Sequence, residues 1–99
     1  MIFIIKDMKY DTDKMEKVAD VKKWYRVDNL FSRALYGEQK VGRYYKCELR
    51  RSKKGNWLLT HECDYTAIGE AISENEAKEL LLKYAPDEYE ELFEKIPEA

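Results

Sequence analysis

The middle of the chain holds the pattern that most limits the fold: a strand, a turn and a second strand. Residues 43–51 alternate between two faces, a period of two that is typical of a β-strand. Residues 52–55 interrupt the pattern with polar side chains and Gly55, which takes the positive φ of a tight turn without strain. Residues 56–62 then alternate again as the return strand. The residues that share a face are Tyr45, Cys47 and Leu49 on the first strand, and Trp57, Leu59 and His61 on the second.

The N-terminal part of the chain predicts a strand followed by a helix. Residues 2–9 begin with a continuous apolar run, which indicates a strand covered on both faces. Residues 12–22 predict a helix, because Asp11 or Thr12 can cap its first turn and apolar residues then recur at helical spacing. Residues 24–41 are rich in apolar side chains without a clear period, and we expect at least one strand there.

The C-terminal part predicts two helices. Ser73 and Glu76 have the spacing of a capping box at the start of the first helix. Pro86 favours the first position of the second helix, which we expect to continue to Pro97. The side chains expected to face inward are Ala77, Leu80, Leu81, Tyr84, Tyr89, Leu92, Phe93 and Ile96.

These elements predict the α+β class. A further strand is expected at residues 65–72, where Gly69 marks a bulge or a close approach. We expect a single domain over residues 1–99. It should hold a small antiparallel sheet of about 3–5 strands packed against helices, in the order β-α-β-β-β-α-α.

Charge is divided unevenly along the chain. Residues 1–69 have 15 Lys and Arg against 10 Asp and Glu, whereas residues 70–99 have 3 Lys against 10 Asp and Glu. The net charge of −2 therefore combines a basic part and an acidic part. Such asymmetry marks either a surface for a charged partner or a helix with an acidic solvent face.

The cysteines and the N-terminus favour a cytoplasmic protein. Cys47 and Cys63 form neither a CxxC pair nor a disulfide framework. Buried thiols in a reducing compartment are the favoured interpretation, and a cross-strand disulfide is the alternative. The N-terminal apolar run reaches only Ile5, which is shorter than the about 7–15 residues of a signal peptide or the about 18 of a membrane helix. We therefore expect no membrane partner.

No pattern of residues predicts catalysis. His61 is the one histidine of the chain, and a lone histidine in a strand is more often structural than a base or a ligand. A zinc site would need His61, Cys47 and Cys63 together, without any CxxC step. Phosphate-binding loops and nucleophile motifs do not occur in the sequence. We therefore expect no catalytic residue, no cofactor and no metal, and the protein is predicted not to be an enzyme.

Three candidate surfaces follow from the charges and the aromatic residues. The basic hairpin tip could contact phosphates while nearby rings stack on bases, or it could simply be a soluble turn. The acidic C-terminal segment could occupy a groove built for nucleic acid. An aromatic surface around Trp24, Tyr25, Tyr44 and Tyr45 is a further candidate for protein contact. The basic and aromatic set is Arg43, Tyr44, Arg50, Arg51, Lys53, Lys54 and Trp57, and the acidic set is Glu88, Glu90, Glu91 and Glu94.

Three stretches carry a resemblance to a known group of proteins. They are residues 9–19 (KYDTDKMEKVA), 48–59 (ELRRSKKGNWLL) and 71–80 (AISENEAKEL), followed by the ending at 87–93 (DEYEELF). In this order the chain resembles small uncharacterised proteins of phages and integrative elements of Firmicutes, with the patterns YdTetA, LYrTkkGnyFLy and iPLseeEAkeW. The chain departs from them with Arg-Arg in place of a tyrosine-containing step and Leu-Leu in place of a tryptophan. The resemblance transfers no functional residue.

The resemblance implies a setting in a mobile element. Short non-enzymatic proteins of such elements often inhibit host defence, as anti-CRISPR and anti-restriction proteins do. We therefore expect a binding protein whose partner is a host protein or a nucleoprotein complex. A small nucleic-acid-binding module that uses the basic hairpin at residues 50–54 is the alternative.

Overall fold

Six strands and two helices make up the fold in a computed structural model, which describes residues 1–26, 42–63 and 65–99. The α+β class is confirmed. A two-stranded antiparallel sheet pairs β1 with β2, and a four-stranded antiparallel sheet has the order β3-β4-β5-β6. The strands are β1 (Ile2–Ile5), β2 (Met8–Asp11), β3 (Glu16–Arg26), β4 (Gly42–Arg51), β5 (Trp57–Cys63) and β6 (Thr66–Ile72), and the helices are α1 (Glu74–Tyr84) and α2 (Pro86–Leu92).

The predicted central hairpin is confirmed as β4 and β5. Leu49 pairs with Leu59 across the two strands, and both side chains are fully buried. The turn closes through Ser52, whose backbone N–H donates to the Asn56 carbonyl at 2.8 Å. Gly55 has a φ of 87°, the left-handed conformation for which glycine has no steric cost.

The predicted helix at residues 12–22 is wrong. The capping signal is real, since the Asp11 carboxylate accepts the Asp13 backbone N–H at 3.1 Å, but it opens only a single 3₁₀ turn, Thr12–Lys14. The chain then enters β3, which runs antiparallel to β4 along most of its length. Beyond a bulge near Val18, the side chains alternate between the two faces of the sheet. Valines and aromatic residues suit such a pleated surface, and the long pairing with β4 overrides the helical spacing.

The apolar N-terminal run is likewise not a single strand covered on both faces. Lys6 and Asp7 have φ of 50° and 64° and form a two-residue turn between β1 and β2. Left-handed residues at both central positions match the strand twist in such hairpins. Ile2 and Ile4 remain 53% and 66% exposed, so this hairpin buries only its other face.

Both helices start where the sequence predicts, and the second ends earlier than predicted. The Ser73 side chain accepts the Glu76 backbone N–H at 3.1 Å, which confirms the N-terminal cap of α1. Pro86 opens α2, as expected. This helix ends at Leu92 rather than near Pro97, and Ile96 lies beyond it, half-buried. Neither helix in the described ranges is long and apolar enough to cross a membrane.

The core lies between one face of the larger sheet and the helices. Half-buried side chains from α2 and the segment after it extend this core, among them Tyr89 and Phe93. Of the segment 24–41, residues 24–26 complete β3, and the rest of the strand predicted there lies outside the described residues. The buried side chains of the core are Val21, Cys47, Leu49, Trp57, Leu59, Ala77 and Leu81.

The two sheets meet at Gly69, which confirms the predicted close approach. A Cβ atom at Gly69 would lie 2.7 Å from the Phe3 ring, so Gly69→Ala should lower the free energy of unfolding by about 1–3 kcal/mol through overpacking. Urea denaturation measures this change. In a Phe3→Ala background the same substitution should cost little, because the ring that it strikes is gone. An equal cost in both backgrounds would contradict this contact.

Candidate binding surfaces

The basic residues on the central hairpin are largely engaged within the protein. The Arg50 guanidinium donates to the Thr60 hydroxyl at 3.0 Å and pairs with the Glu48 carboxylate at 2.6 Å. The Arg51 guanidinium lies 5.5 Å from the Trp57 ring centroid and 3.9 Å from the Glu16 carboxylate. Binding a phosphate would therefore compete with these existing contacts.

The other members of the predicted basic and aromatic set are dispersed. Lys53 and Lys54 are exposed at the turn, while the Arg43 guanidinium lies 4.4 Å from the Tyr45 ring centroid. Trp57 is only 3% exposed and its ring packs 6.1 Å from that of Phe93. Trp57 is therefore a core residue and not a surface for stacking, which corrects its place in the set.

The four aromatic residues near the ends of β3 and β4 lie on opposite faces of the sheet. Trp24 and Tyr44 are directly paired, so they share one face, where they are 39% and 60% exposed. Tyr25 and Tyr45 lie on the face with the core and pack with ring centroids 5.9 Å apart. The predicted aromatic surface is thus two separate pairs.

A polar cluster that the sequence did not predict joins β3, β6 and α1. The Lys23 ammonium donates to the Glu70 carboxylate at 2.6 Å and to the Glu76 carboxylate at 3.3 Å. The Tyr25 hydroxyl donates to the other Glu70 oxygen at 2.6 Å. Glu76, expected to reach back to Ser73 in a capping box, thus directs its carboxylate to Lys23.

The contacts of this cluster set its protonation. Burial opposes ionisation of Glu70, but the hydrogen bonds from Lys23 and Tyr25 together outweigh it and lower the pKa of the carboxyl. Burial, and then the adjacent Glu70 carboxylate, raise the pKa of the Tyr25 phenol far above its ordinary value. Lys23 and Glu70 are therefore charged and Tyr25 is neutral at neutral pH, which is the arrangement that favours every hydrogen bond of the cluster.

His61 lies next to this cluster as a structural residue. Its ring stacks on Tyr25 at 4.5 Å and lies 5.0 Å from Tyr45. Burial lowers the pKa of the imidazole, and its Nδ1 is shielded from solvent with no hydrogen-bond partner in the described ranges. Because a general base must reach the proton that it removes, this nitrogen is poorly placed for catalysis.

The thiols near His61 do not complete a metal site. Burial raises the pKa of the Cys47 thiol, which disfavours the thiolate that binds metals. The Cys63 sulfur lies 3.7 Å from the Tyr45 hydroxyl. Among the residues that the structure describes, no group of three His, Cys, Asp or Glu side chains could hold a metal ion.

The predicted acidic set lies on α2 and in the segment directly after it, and we call it the acidic face. Glu90, Glu91 and Glu94 are exposed and Glu88 is half-buried. Glu88, Glu90 and Glu91 lie on α2, and Glu94 lies just beyond its end at Leu92. No ion pair joins any of the four to another residue within the described part of the chain.

Comparisons with known proteins do not indicate a function for this chain. No protein family matches the chain, and neither a curated protein nor a solved structure matches it. The resemblance to the phage and integrative-element group stays a prediction. The charges, contacts and exposure described above are the observations from which a function can be inferred.

The buried histidine predicts that acid lowers stability. Because burial lowers the pKa of His61 in the folded state, the unfolded state takes up its proton first as the pH falls below about 6.5. The free energy of unfolding should then fall by up to about 1.4 kcal/mol per pH unit, until the folded pKa is reached. Urea denaturation between neutral pH and about pH 5.5 measures it. His61→Gln should remove this dependence, and an unchanged slope would refute the assignment.

The hydrogen bond from Tyr25 to Glu70 predicts a second stability change. Tyr25→Phe removes the donor while keeping the ring, and should lower the free energy of unfolding by about 1–2 kcal/mol. Tyr44→Phe is the matched control, because Tyr44 is 60% exposed, and it should change stability by less than about 0.5 kcal/mol. Equal effects in urea denaturation would show that the Tyr25 bond contributes nothing.

Proposed function

We propose that this chain is a non-enzymatic, cytoplasmic binding protein of a phage or mobile element. It uses the acidic face to occupy a basic groove on a host protein or nucleoprotein complex, such as a defence nuclease. The observation that carries this proposal is the group of carboxylates on α2 and directly after it, which form no ion pair with any residue that the structure describes. A local concentration of carboxylates carries negative charge as a nucleic-acid backbone does, and it is attracted to sites built to hold phosphates.

The acidic face is held on an ordered support. The rings of Tyr89 and Phe93 lie 5.2 Å apart and pack against the core. The backbone N–H of Phe93 donates to the Tyr89 carbonyl at 2.9 Å, which closes the end of the helix. Because these contacts fix the face before a partner arrives, less ordering entropy opposes binding.

Folding alone does not favour carboxylates at these positions. Glu88 and Glu91 are three residues apart within α2, a spacing at which side chains are neighbours and like charges repel on a helix. Glu91 lies in the last turn of α2, which contains no basic residue, although the negative end of a helix dipole favours cations there. A basic partner would relieve both repulsions, so the arrangement supports a role in recognition.

The alternative function, nucleic-acid binding by the basic hairpin, is supported less well. Its two arginines have partners within the sheet, and its one tryptophan is buried. Of the four cations at residues 50–54, Lys53 and Lys54 are the exposed ones. Two mobile ammonium groups give weak and salt-sensitive attraction to a phosphate backbone.

Charge reversal tests the proposed function. Expressed in a bacterial host with an active CRISPR or restriction system, the wild-type protein should raise the plating efficiency of a targeted phage. The triple variant E90K/E91K/E94K should lose this protection, because it presents cations to a basic groove. The triple variant E62K/E74K/E79K changes the net charge equally at other exposed carboxylates and should keep it.

The outcomes of this experiment distinguish whether the acidic face is the binding surface from whether the protein inhibits host defence at all. Circular dichroism of the acidic-face variant should show an intact fold, since lysines suit the last turn of a helix. Equal protection by the two triple variants would show that the acidic face is not the binding surface. Failure of the wild-type protein to protect against either system would contradict defence inhibition itself.

A further inference from the structure

A second charged surface lies on the face of the larger sheet opposite the helices. Five exposed residues near the paired ends of β3 and β4 form it, and we call it the aromatic–cationic patch: Lys22, Trp24, Arg26, Tyr44 and Lys46. Three of them are cationic and two are aromatic. Neither the acidic face nor the hairpin tip includes any of the cations.

Strand register brings the rings together and the ammonium groups together. Trp24 pairs with Tyr44, and Lys22 pairs with Lys46. Directly opposed residues on neighbouring antiparallel strands have Cβ atoms about 4.5–5.5 Å apart, and same-face residues along one strand are about 7 Å apart. The patch is therefore a compact two-by-two arrangement of rings beside cations, and Arg26 adds a third cation at its end.

A glycine sets the position of the tryptophan. A Cβ atom at Gly42 would lie 2.4 Å from the Trp24 ring, so the indole rests against bare backbone. It nevertheless remains 39% exposed, and the neighbouring Tyr44 is 60% exposed. Both rings thus have the accessible area that stacking on a planar ligand requires.

The cations of the patch are not neutralised by the described part of the chain. No ion pair joins Lys22, Arg26 or Lys46 to another residue there. Like charges directly opposite one another destabilise a sheet, and a bound polyanion would relieve the repulsion between Lys22 and Lys46. This charge pattern is complementary to phosphates.

We propose that the aromatic–cationic patch binds single-stranded nucleic acid. Bases stack on Trp24 and Tyr44, while phosphates lie near Lys22, Lys46 and Arg26. Stacking of this kind needs bases whose planar faces are free, which a single strand offers and a duplex does not. This activity is separate from the acidic face and goes beyond the proposed function.

Fluorescence titration with an oligothymidylate at low salt tests the site. Trp24 is the exposed tryptophan and Trp57 is buried, so stacking should quench the emission of Trp24. Trp24→Ala and Tyr44→Ala, followed by anisotropy of a labelled oligonucleotide, should each weaken binding by about 5- to 150-fold. Lys22→Ala with Lys46→Ala should reduce the slope of log K against log salt by about 1.4.

Matched variants make the result decisive. K53A/K54A removes the same charge at the hairpin tip and should leave affinity and slope unchanged, as should E90K/E91K/E94K apart from a small general gain in attraction. Loss of binding in K53A/K54A with retention in K22A/K46A would overturn the proposal in favour of the hairpin. Absence of oligonucleotide binding at low salt, or equal binding of polyglutamate, would also overturn it, because the rings would then recognise no base.

Discussion

The antiparallel pairing of β3 with β4 is the constraint on which the rest of the structure depends. It runs from Glu16 opposite Arg51 to Arg26 opposite Gly42. Because side chains alternate along a strand, this one register sends Val21 and its same-face neighbours to the helices and sends Trp24 to the opposite surface. A shift by one residue would exchange the two sets and bury lysine instead of valine.

Charged side chains occur in two different settings in this protein, one partly buried and one exposed. Around Glu70, partly buried charges are paired and hydrogen-bonded, and the paired groups join the sheet to α1. Such groups are costly to leave unpaired once they are removed from water. On the acidic face and in the aromatic–cationic patch, by contrast, exposed charges of one sign are neighbours and form no ion pair within the described residues. Repulsion there costs little in water and makes those surfaces available for ligands of opposite charge.

The two unpaired surfaces lie on different elements and carry opposite charge. The acidic face is built on a helix anchored by Tyr89 and Phe93, whereas the aromatic–cationic patch is built on two paired strands. Each surface has support from the core but contributes little to it. A net charge of −2 conceals this separation, which explains why overall charge is a poor guide to what the molecule can bind.

Local patterns determined the central hairpin, the cap at Ser73 and the start of the helix at Pro86, because the residues that cause each feature are neighbours in the chain. Residues 16–26 combine helical spacing with strand-favouring residues, so their sequence is compatible with a helix or a strand. Tertiary structure decided for the strand, because these residues pair with β4, which is distant in the chain. It also assembled the Lys23, Tyr25 and Glu70 cluster, whose members are up to 47 residues apart. No local signal reports such a distance, since only the sheet register brings those side chains together.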